Sequence, residues 1–139
     1  MRSVPFDCPP NVFPQAFKGN VVLAVADALG PETLTVWLLF KIKEGSTVDM
    51  FGVSAEGKDM PPDIEAAKPV VVALATRDVW NLLVQNEEEF YHRVADAKVH
   101  ISGDYRIFGR YALSLLRAIR VTKLWERFDD VANQVASNN

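Results

Sequence analysis

Hydrophobic residues alternate with polar ones in some stretches of the chain and recur at helical spacing in others, which predicts a mixture of strands and helices. Residues 15–29 are apolar on nearly every side and are followed by Gly30-Pro31, a helix stop. That pattern predicts a buried first helix. Residues 33–42 alternate instead, as a strand with one inward face does. A turn at 44–46 and a second strand at 47–54 complete a predicted hairpin.

The middle of the chain predicts short elements separated by a long loop. Residues 54–69 are polar and rich in proline, so we expect them to lie outside the core. Residues 70–75 are apolar and predict a strand, after which the Thr76 hydroxyl can cap a helix. Asn86 with Glu89 resembles a capping box that begins another short helix. A last strand is predicted around residues 99–101, because apolar and polar positions alternate there.

The segment Ser102-Gly103-Asp104 joins that last strand to a long helical stretch. Unpaired N–H groups at a helix start attract anions, which would make this corner a phosphate site. The carboxylate of Asp104 would repel a phosphate, however, and no Walker-type or dinucleotide glycine spacing is present. We therefore expect a structural turn, in which Gly103 permits the bend and Asp104 occupies the first turn of the helix.

The helical tail carries two apolar stripes that point in different directions. Between residues 104 and 119 the apolar side chains share one face, and Arg106, Arg110, Arg117 and Arg120 lie roughly opposite. A second stripe, from 121 to 135, is rotated from the first by more than about 100°. We expect a break near Val121-Thr122 and a separate amphipathic helix that folds back over the domain. The alternative is that the second stripe binds a partner molecule.

Length and charge narrow the class of protein. A chain of 139 residues fits one domain, and a net charge of −3 argues against a nucleic-acid binder. No apolar window is long enough to span a bilayer, and prolines interrupt the first residues where a secretory signal would be apolar. A single cysteine, Cys8, cannot form an internal disulfide. These features predict a cytoplasmic protein.

Reactive side chains form no recognisable catalytic or metal motif. His92 and His100 have no ligand partners at metal-site spacing, and Cys8 has no base beside it in the sequence. The run 87–89 of glutamates is best explained as a solvated helix start. We therefore predict no enzyme activity, no metal and no cofactor.

Two segments resemble the sterol carrier protein type 2 family. VVVALATRDVWNLLVQ, residues 70–85, is similar to the family's strand and following short helix, and FYHRVADAKVHISGD, residues 90–104, to its short helix, turn and strand closing on Gly-Asp. Ala97-Lys98 stands where the family has a Gly-Lys-like turn. The resemblance covers roughly residues 21–119.

The resemblance implies an α+β fold with a five-stranded, mainly antiparallel sheet, helices packed on one face, and an apolar tunnel for lipids. The expected organisation is an irregular N-terminal arm at 1–14, a lipid-binding domain at 15–120, and an extra C-terminal amphipathic helix at 121–139. In the family, the C-terminal segment often lines or gates the tunnel. Here it would act as a lid.

Apolar side chains carry the functional hypothesis, although such residues can equally form a plain core. We expect a ligand pocket between sheet and helices, to which the lid contributes Trp125 and Phe128. The predicted lining is Val36, Leu38, Phe40, Trp80, Leu83, Phe90, Phe108, Tyr111, Leu115, Ile119, Trp125 and Phe128. The predicted partner is a fatty acyl, sterol-like or isoprenoid ligand.

Two other functions stay open at this stage. The chain could be an accessory or assembly protein of lipid metabolism, acting as a homodimer or through a partner interface. Trp37 and Leu39, with Phe51 and Val53 beside them, would then form an exposed apolar patch. An enzyme acting on a lipid-like substrate is the third hypothesis, although no nucleophile and base pair is visible. The arginines opposite the apolar stripe are either a solvated face or a surface for transient contact with an anionic membrane.

Overall fold

A computed structural model describes residues 1–30, 33–44, 47–104, 106 and 108–137 of the chain. Within this part, six strands form one mixed sheet in the order β1-β4-β3-β2-β5-β6. The strands are β1 (Arg2–Val4), β2 (Gly19–Ala26), β3 (Leu34–Glu44), β4 (Thr47–Glu56), β5 (Val71–Thr76) and β6 (His100–Gly103). Neighbouring strands are antiparallel, except that β2 and β5 run parallel.

Helices cover both faces of the sheet, so the apolar side chains form two layers. The helices are α1 (Pro62–Ala66), α2 (Arg77–Gln85), α3 (Phe90–Ala95), α4 (Phe108–Val121) and α5 (Phe128–Ala136), with a 3₁₀ turn at Glu87–Glu89. The larger apolar cluster lies between the sheet and helices α2 to α5, and the smaller one lies under α1. None of the helices in the described ranges is long and apolar enough to cross a membrane.

Strand β2 is the main departure from the sequence prediction. The α+β class is confirmed, but the sheet has six strands and is mixed, whereas five mainly antiparallel strands were expected. The predicted first helix at 15–29 is wrong, because residues 19–26 form a strand between β3 and β5. This strand is buried on both faces, so it is apolar at every position from 21 onward and shows no alternation. Its valines also suit a strand better than a helix.

Two segments predicted to be irregular contribute to the sheet and its cover. Residues 2–4 of the predicted arm form edge strand β1 against β4. The predicted loop 54–69 contains α1, whose Ile64 is fully buried against the face that carries Trp37 and Leu39. Trp37 and Leu39 are therefore buried, 2% and 0% exposed, and the predicted exposed patch for a partner is wrong.

The remaining local predictions are largely confirmed. Strands β3 and β4 form the expected hairpin, whose turn at 45–46 lies outside the described residues. The Thr76 hydroxyl accepts a hydrogen bond from Val79 N at 3.5 Å and caps α2. The capping box does not form, because the Asn86 side chain makes no cap contact and its backbone carbonyl accepts from Glu89 N instead.

The Gly-Asp corner is a backbone turn, but it does not start the helix. Gly103 has φ 107°, and the next amide, Asp104 N, donates to the carbonyl of Val70 at 2.8 Å. Helix α4 begins at Phe108, so the prediction that Asp104 lies in its first turn is wrong. The Asp104 carboxylate instead accepts hydrogen bonds from the Arg106 guanidinium and backbone N–H, which lower the pKa of that carboxyl.

The predicted break in the helical tail is confirmed. Helix α4 ends at Val121 and α5 begins at Phe128, with Lys123 at φ 59° in the turn between them. The Thr122 hydroxyl donates to the carbonyl of Ala118 at 2.6 Å, which ties the turn to the last full turn of α4. Helix α5 then folds back and packs on β3 and β4, so the second apolar stripe from Leu124 onward joins the main apolar cluster, whereas Val121 at its start is 52% exposed.

Candidate functional site

All twelve predicted site residues lie in one apolar cluster between the sheet and helices α2 to α5. Ten of them are buried, whereas Phe108 and Trp125 are half-buried at its margin. Alternation along β3 places its three members on one face, and spacing by about one helical turn does the same for those of α4. The sequence pattern therefore identified this layer.

One void inside this layer, on its β2–β5 side, is small. It measures about 10 Å³ and is lined by ten described residues of β2, β5, α2, α3 and α4, including Trp80, Phe90 and Leu115. Ligand pockets are commonly about 300–1,000 Å³, and about 10–15 Å³ already suits a single water molecule. This void is therefore too small for a lipid, and the ligand pocket lined by the twelve residues stays a prediction.

Polar atoms of the aromatic residues in this layer are satisfied by the protein backbone. Trp80 Nε1 donates to the carbonyl of Ala24 at 2.8 Å, and the Tyr111 hydroxyl donates to that of Lys18 at 3.1 Å. The Tyr111 ring also stacks on Phe17, with 4.1 Å between ring centroids. These contacts hold the rings in place and leave an apolar surface toward the interior.

Helix α5 covers the β3–β4 end of the layer. Its Phe128 is 1% exposed and stacks on Trp125, with 4.8 Å between ring centroids. Val135 contacts Gly52 of β4 so closely that a Cβ on that glycine would lie 2.5 Å from Val135 Cγ2. The helix is thus seated directly on the sheet backbone.

Polar contacts near the protein surface fasten α5 and the preceding turn. Arg77 of α2 forms an ion pair with Asp129, and Trp125 Nε1 donates to the side-chain oxygen of Asn81 at 3.0 Å. At the other end of α5, the Arg2 guanidinium donates to the carbonyl of Gln134 at 3.1 Å. The Arg77–Asp129 ion pair is largely exposed, and pairs of this kind contribute about 0–1 kcal/mol, so its loss alone costs little.

The predicted arginine stripe, of which Arg106 precedes α4 and the other three arginines lie on it, is largely compensated within the protein. Arg117 and Arg120 both approach Glu87, at 3.2 and 3.8 Å, and Arg106 pairs with Asp104 at 3.0 Å. Arg110 lies over the ring of Phe17, 5.8 Å from its centroid. These contacts reduce the field that would attract an anionic membrane, and contact with a membrane stays a prediction.

Candidate catalytic and ligating side chains are dispersed. Within the described residues, no group of three His, Cys, Asp or Glu side chains lies close enough to hold a metal ion. Burial raises the pKa of the Cys8 thiol, which disfavours the reactive thiolate. His92 is exposed on α3, and His100 is exposed at the start of edge strand β6.

Two adjoining open pockets lie at the end of β5 and were not predicted from the sequence; because they share three lining residues, we name them together the end cleft. Its larger lobe, about 400 Å³, lies between the end of β5, α2 and α3 and is lined by Ala26, Lys58, Leu74, Ala75, Thr76, Asp78, Val79, Leu82, Arg93, Ala97, Lys98 and His100. Its smaller lobe, about 230 Å³, is lined by Trp37, Lys58, Asp59, Met60, Val72, Leu74, His100, Ile101 and Ser102. Lys58, Leu74 and His100 line both lobes. The lining comes from separate segments, so no periodic pattern in the sequence predicts the cleft.

Comparison with solved structures identifies the class of fold. The crystal structure of sterol carrier protein 2 matches with a TM-score of 0.53 and 14% identity over 78% of each chain. The solution structure of TT1886, a conserved hypothetical protein of Thermus thermophilus described as a candidate sterol carrier protein, matches with a TM-score of 0.51 and 17% identity. That match covers 78% of this chain and 72% of the other.

These two matches confirm, at the level of the fold, the resemblance inferred from the sequence. The chain has a sterol carrier protein type 2-like fold. No family model and no curated protein matches the sequence.

Proposed function

We propose that the chain is a non-catalytic binding protein or carrier for a lipid, an acyl chain or a sterol-like or isoprenoid molecule, which it holds between the sheet and the helices. The fold supports this proposal, but the observation that carries it is the seating of α5. This helix covers the apolar faces of β3 and β4 through its own apolar stripe. Burial of a ligand there would yield about 0.8 kcal/mol per methylene, without many polar contacts.

Uptake at the β3–β4 end of the layer would require α5 to move, because its Val135 lies directly on Gly52 and its Phe128 is 1% exposed. Displacing α5 would uncover Leu38 of β3 and Gly52 of β4 and would carry Phe128 away from the sheet. A ligand would then replace the apolar face of α5 as the cover of these strands. The apparent affinity would be lowered by the small fraction of molecules in the open state.

The direct experiment is to analyse what the protein carries. Protein purified under native conditions and extracted with solvent should release lipid in a near-stoichiometric amount, identified by mass spectrometry. Delipidated protein should then take up a fluorescent long-chain fatty acid. Protein that is consistently empty and takes up no probe would contradict the proposal.

A matched pair of substitutions tests the role of α5. Asp129→Asn removes the ion pair with Arg77, whereas Asp130→Asn changes the neighbouring exposed carboxylate, which has no ion pair within the described ranges. Breaking an exposed pair favours opening by up to about 1 kcal/mol, so we expect Asp129→Asn to speed association of the fluorescent fatty acid about two- to fivefold. Stopped-flow fluorescence measures this rate.

Asp130→Asn controls for the loss of one negative charge near an anionic probe. It should leave the association rate close to that of the unmodified protein. Equal rates in both variants would mean that release of α5 from α2 does not limit uptake.

The structure bears differently on the assembly role, the homodimer, the cellular location and enzyme activity. The assembly role was expected to use either the Trp37 and Leu39 patch or the final helix, and it loses the first of these surfaces because α1 covers both residues. A homodimer and a cytoplasmic location stay predictions. Non-catalytic action is part of the proposal and would be overturned by conversion of the bound lipid during incubation.

A further inference from the structure

Two buried hydrogen-bond donors in the walls of the end cleft have no acceptor. Trp37 is 2% exposed and lines the smaller lobe, and its Nε1–H has no hydrogen-bond partner among the described residues. Arg93 lines the larger lobe, and its buried Nε–H likewise has no acceptor there. Buried donors of this kind are rare in folded proteins and call for an explanation such as an unseen acceptor.

The other two tryptophans show that Trp37 is exceptional. Trp80 Nε1 donates to Ala24 at 2.8 Å, and Trp125 Nε1 donates to Asn81 at 3.0 Å. An indole N–H can only donate, so the missing partner of Trp37 must be an acceptor.

Cationic side chains outnumber carboxylates in the larger lobe, which Lys58, Arg93 and Lys98 line against Asp78. Arg93 is engaged by Glu89 and Asp96 at 3.7 and 3.0 Å, so part of its charge is compensated. Lys58 and Lys98 form no ion pair within the described part of the chain, and Lys58 also lines the smaller lobe, where Asp59 is the one carboxylate. With Arg93 compensated, Lys58 and Lys98 face Asp78 and Asp59 across the two lobes, so the positive charge of the cleft is local to the two lysines, which are not ion-paired within the described residues.

Apolar surface lies beside these donors. Leu74, Val79 and Leu82 line the larger lobe, and Leu82 is 37% exposed, which is unusual for a large apolar side chain in this structure. A volume of about 400 Å³ for this lobe falls in the range of small-molecule pockets. An occupant with an apolar tail would cover Leu82 and remove its surface from water.

We propose that the end cleft binds a small organic carboxylate with an apolar tail. The carboxylate lies at the junction of the two lobes, where Lys58 supplies positive charge and the Trp37 indole N–H supplies a hydrogen bond. The tail lies along Leu74, Val79 and Leu82. This site uses the α1 face of the sheet and the outer side of α2, so it is separate from the layer under α5 and does not depend on the function proposed above.

The test uses sodium octanoate as the probe and the tryptophan indole N–H signals as the readout. In a ¹⁵N-labelled protein, titration with octanoate should shift the Trp37 indole signal and leave those of Trp80 and Trp125 nearly unchanged. 1-Octanol and sodium acetate should bind much more weakly, because one lacks the charge and the other lacks the tail. The spectrum of Trp37→Phe assigns the signal.

Two variants and one control locate the binding groups. Lys58→Gln should weaken octanoate binding about fivefold or more, since it removes a charge-assisted contact. Trp37→Phe should weaken it about threefold, because the ring is largely kept and one hydrogen bond is lost. Lys18→Gln, at the opposite end of β2, should bind octanoate with unchanged affinity.

Several results would overturn the proposal. An unmoved Trp37 signal would mean that water alone satisfies this donor. If octanol bound as tightly as octanoate, the charge would contribute nothing to binding. If acetate bound as tightly as octanoate, the apolar tail would contribute nothing. Equal affinities of Lys58→Gln and Lys18→Gln for octanoate would mean that Lys58 does not contact the carboxylate. This comparison holds even if Trp37→Phe does not fold.

Discussion

Replacement of Gly103 by alanine should lower the free energy of unfolding by about 3 kcal/mol, because two costs act together. Gly103 has φ 107°, a backbone conformation that side chains other than glycine's rarely adopt. A Cβ there would also lie 2.3 Å from the carbonyl oxygen of Val70 and 3.1 Å from the Cα of Val71. Both are backbone atoms of the adjoining strand segment and cannot rotate away. Urea unfolding followed by circular dichroism measures the loss.

Gly57→Ala is the matched control. Gly57 has φ 79°, but a Cβ at this position meets no described atom within 4 Å. Only the backbone cost applies, so we expect a loss of about 1 kcal/mol. If the two variants lost the same stability, the close approach of β5 to the corner would contribute nothing.

Replacement of Gly52 by alanine should lower the free energy of unfolding by about 2 kcal/mol and loosen the docking of α5. The added Cβ would lie 2.5 Å from Val135 Cγ2 and 3.5 Å from a methyl group of Leu38. Val135 is β-branched and sits in a helix, so its side chain has little rotamer freedom to avoid the contact. Overpacking of this kind commonly costs about 1–3 kcal/mol.

A double-mutant cycle separates this contact from a general effect on β4. Val135→Ala alone removes two buried methyl groups and should cost about 1–2 kcal/mol. Together with Gly52→Ala it removes the clash, so the combined loss should fall below the sum of the two by about 1 kcal/mol or more. Strictly additive losses from urea unfolding would contradict the close packing of α5 on the sheet.

The sequence predicted those elements whose polar residues interrupt the apolar ones at a regular period. Helix α4 exposes one face, so its apolar residues repeat with the helical period. Strand β3 is buried on both faces from Thr35 to Phe40, and its alternation comes from Thr35, Lys41 and Lys43. Strand β2 is buried on both faces and has no such period, which is why a helix was predicted there. Strand β1 has three residues, too few to show alternation. Helix α1 buries one side chain, Ile64, against Trp37. The surrounding stretch is polar and rich in proline, so its composition predicted a loop.

The candidate sites were predictable to different degrees for a related reason. Membership of the apolar layer follows from periodicity, so the twelve expected residues do come together. The volume left between them depends on how side chains of different elements interdigitate, which no pattern along the chain records. The end cleft combines Lys58, Leu74 and His100, which are far apart in the sequence. Only the pairing of the strands brings these residues together, so the sequence pattern could not predict the cleft.

The parallel pairing of β2 with β5 has a consequence for how the protein is made. Strands β2, β3 and β4 follow one another and can pair soon after they leave the ribosome, but the second edge of β2 must wait until residue 71 and beyond have been synthesised. During that interval the nascent chain exposes an unpaired edge made almost entirely of apolar residues, the kind of surface that promotes aggregation. A fragment that stops before β5 would keep that edge permanently and should aggregate more readily than the full chain.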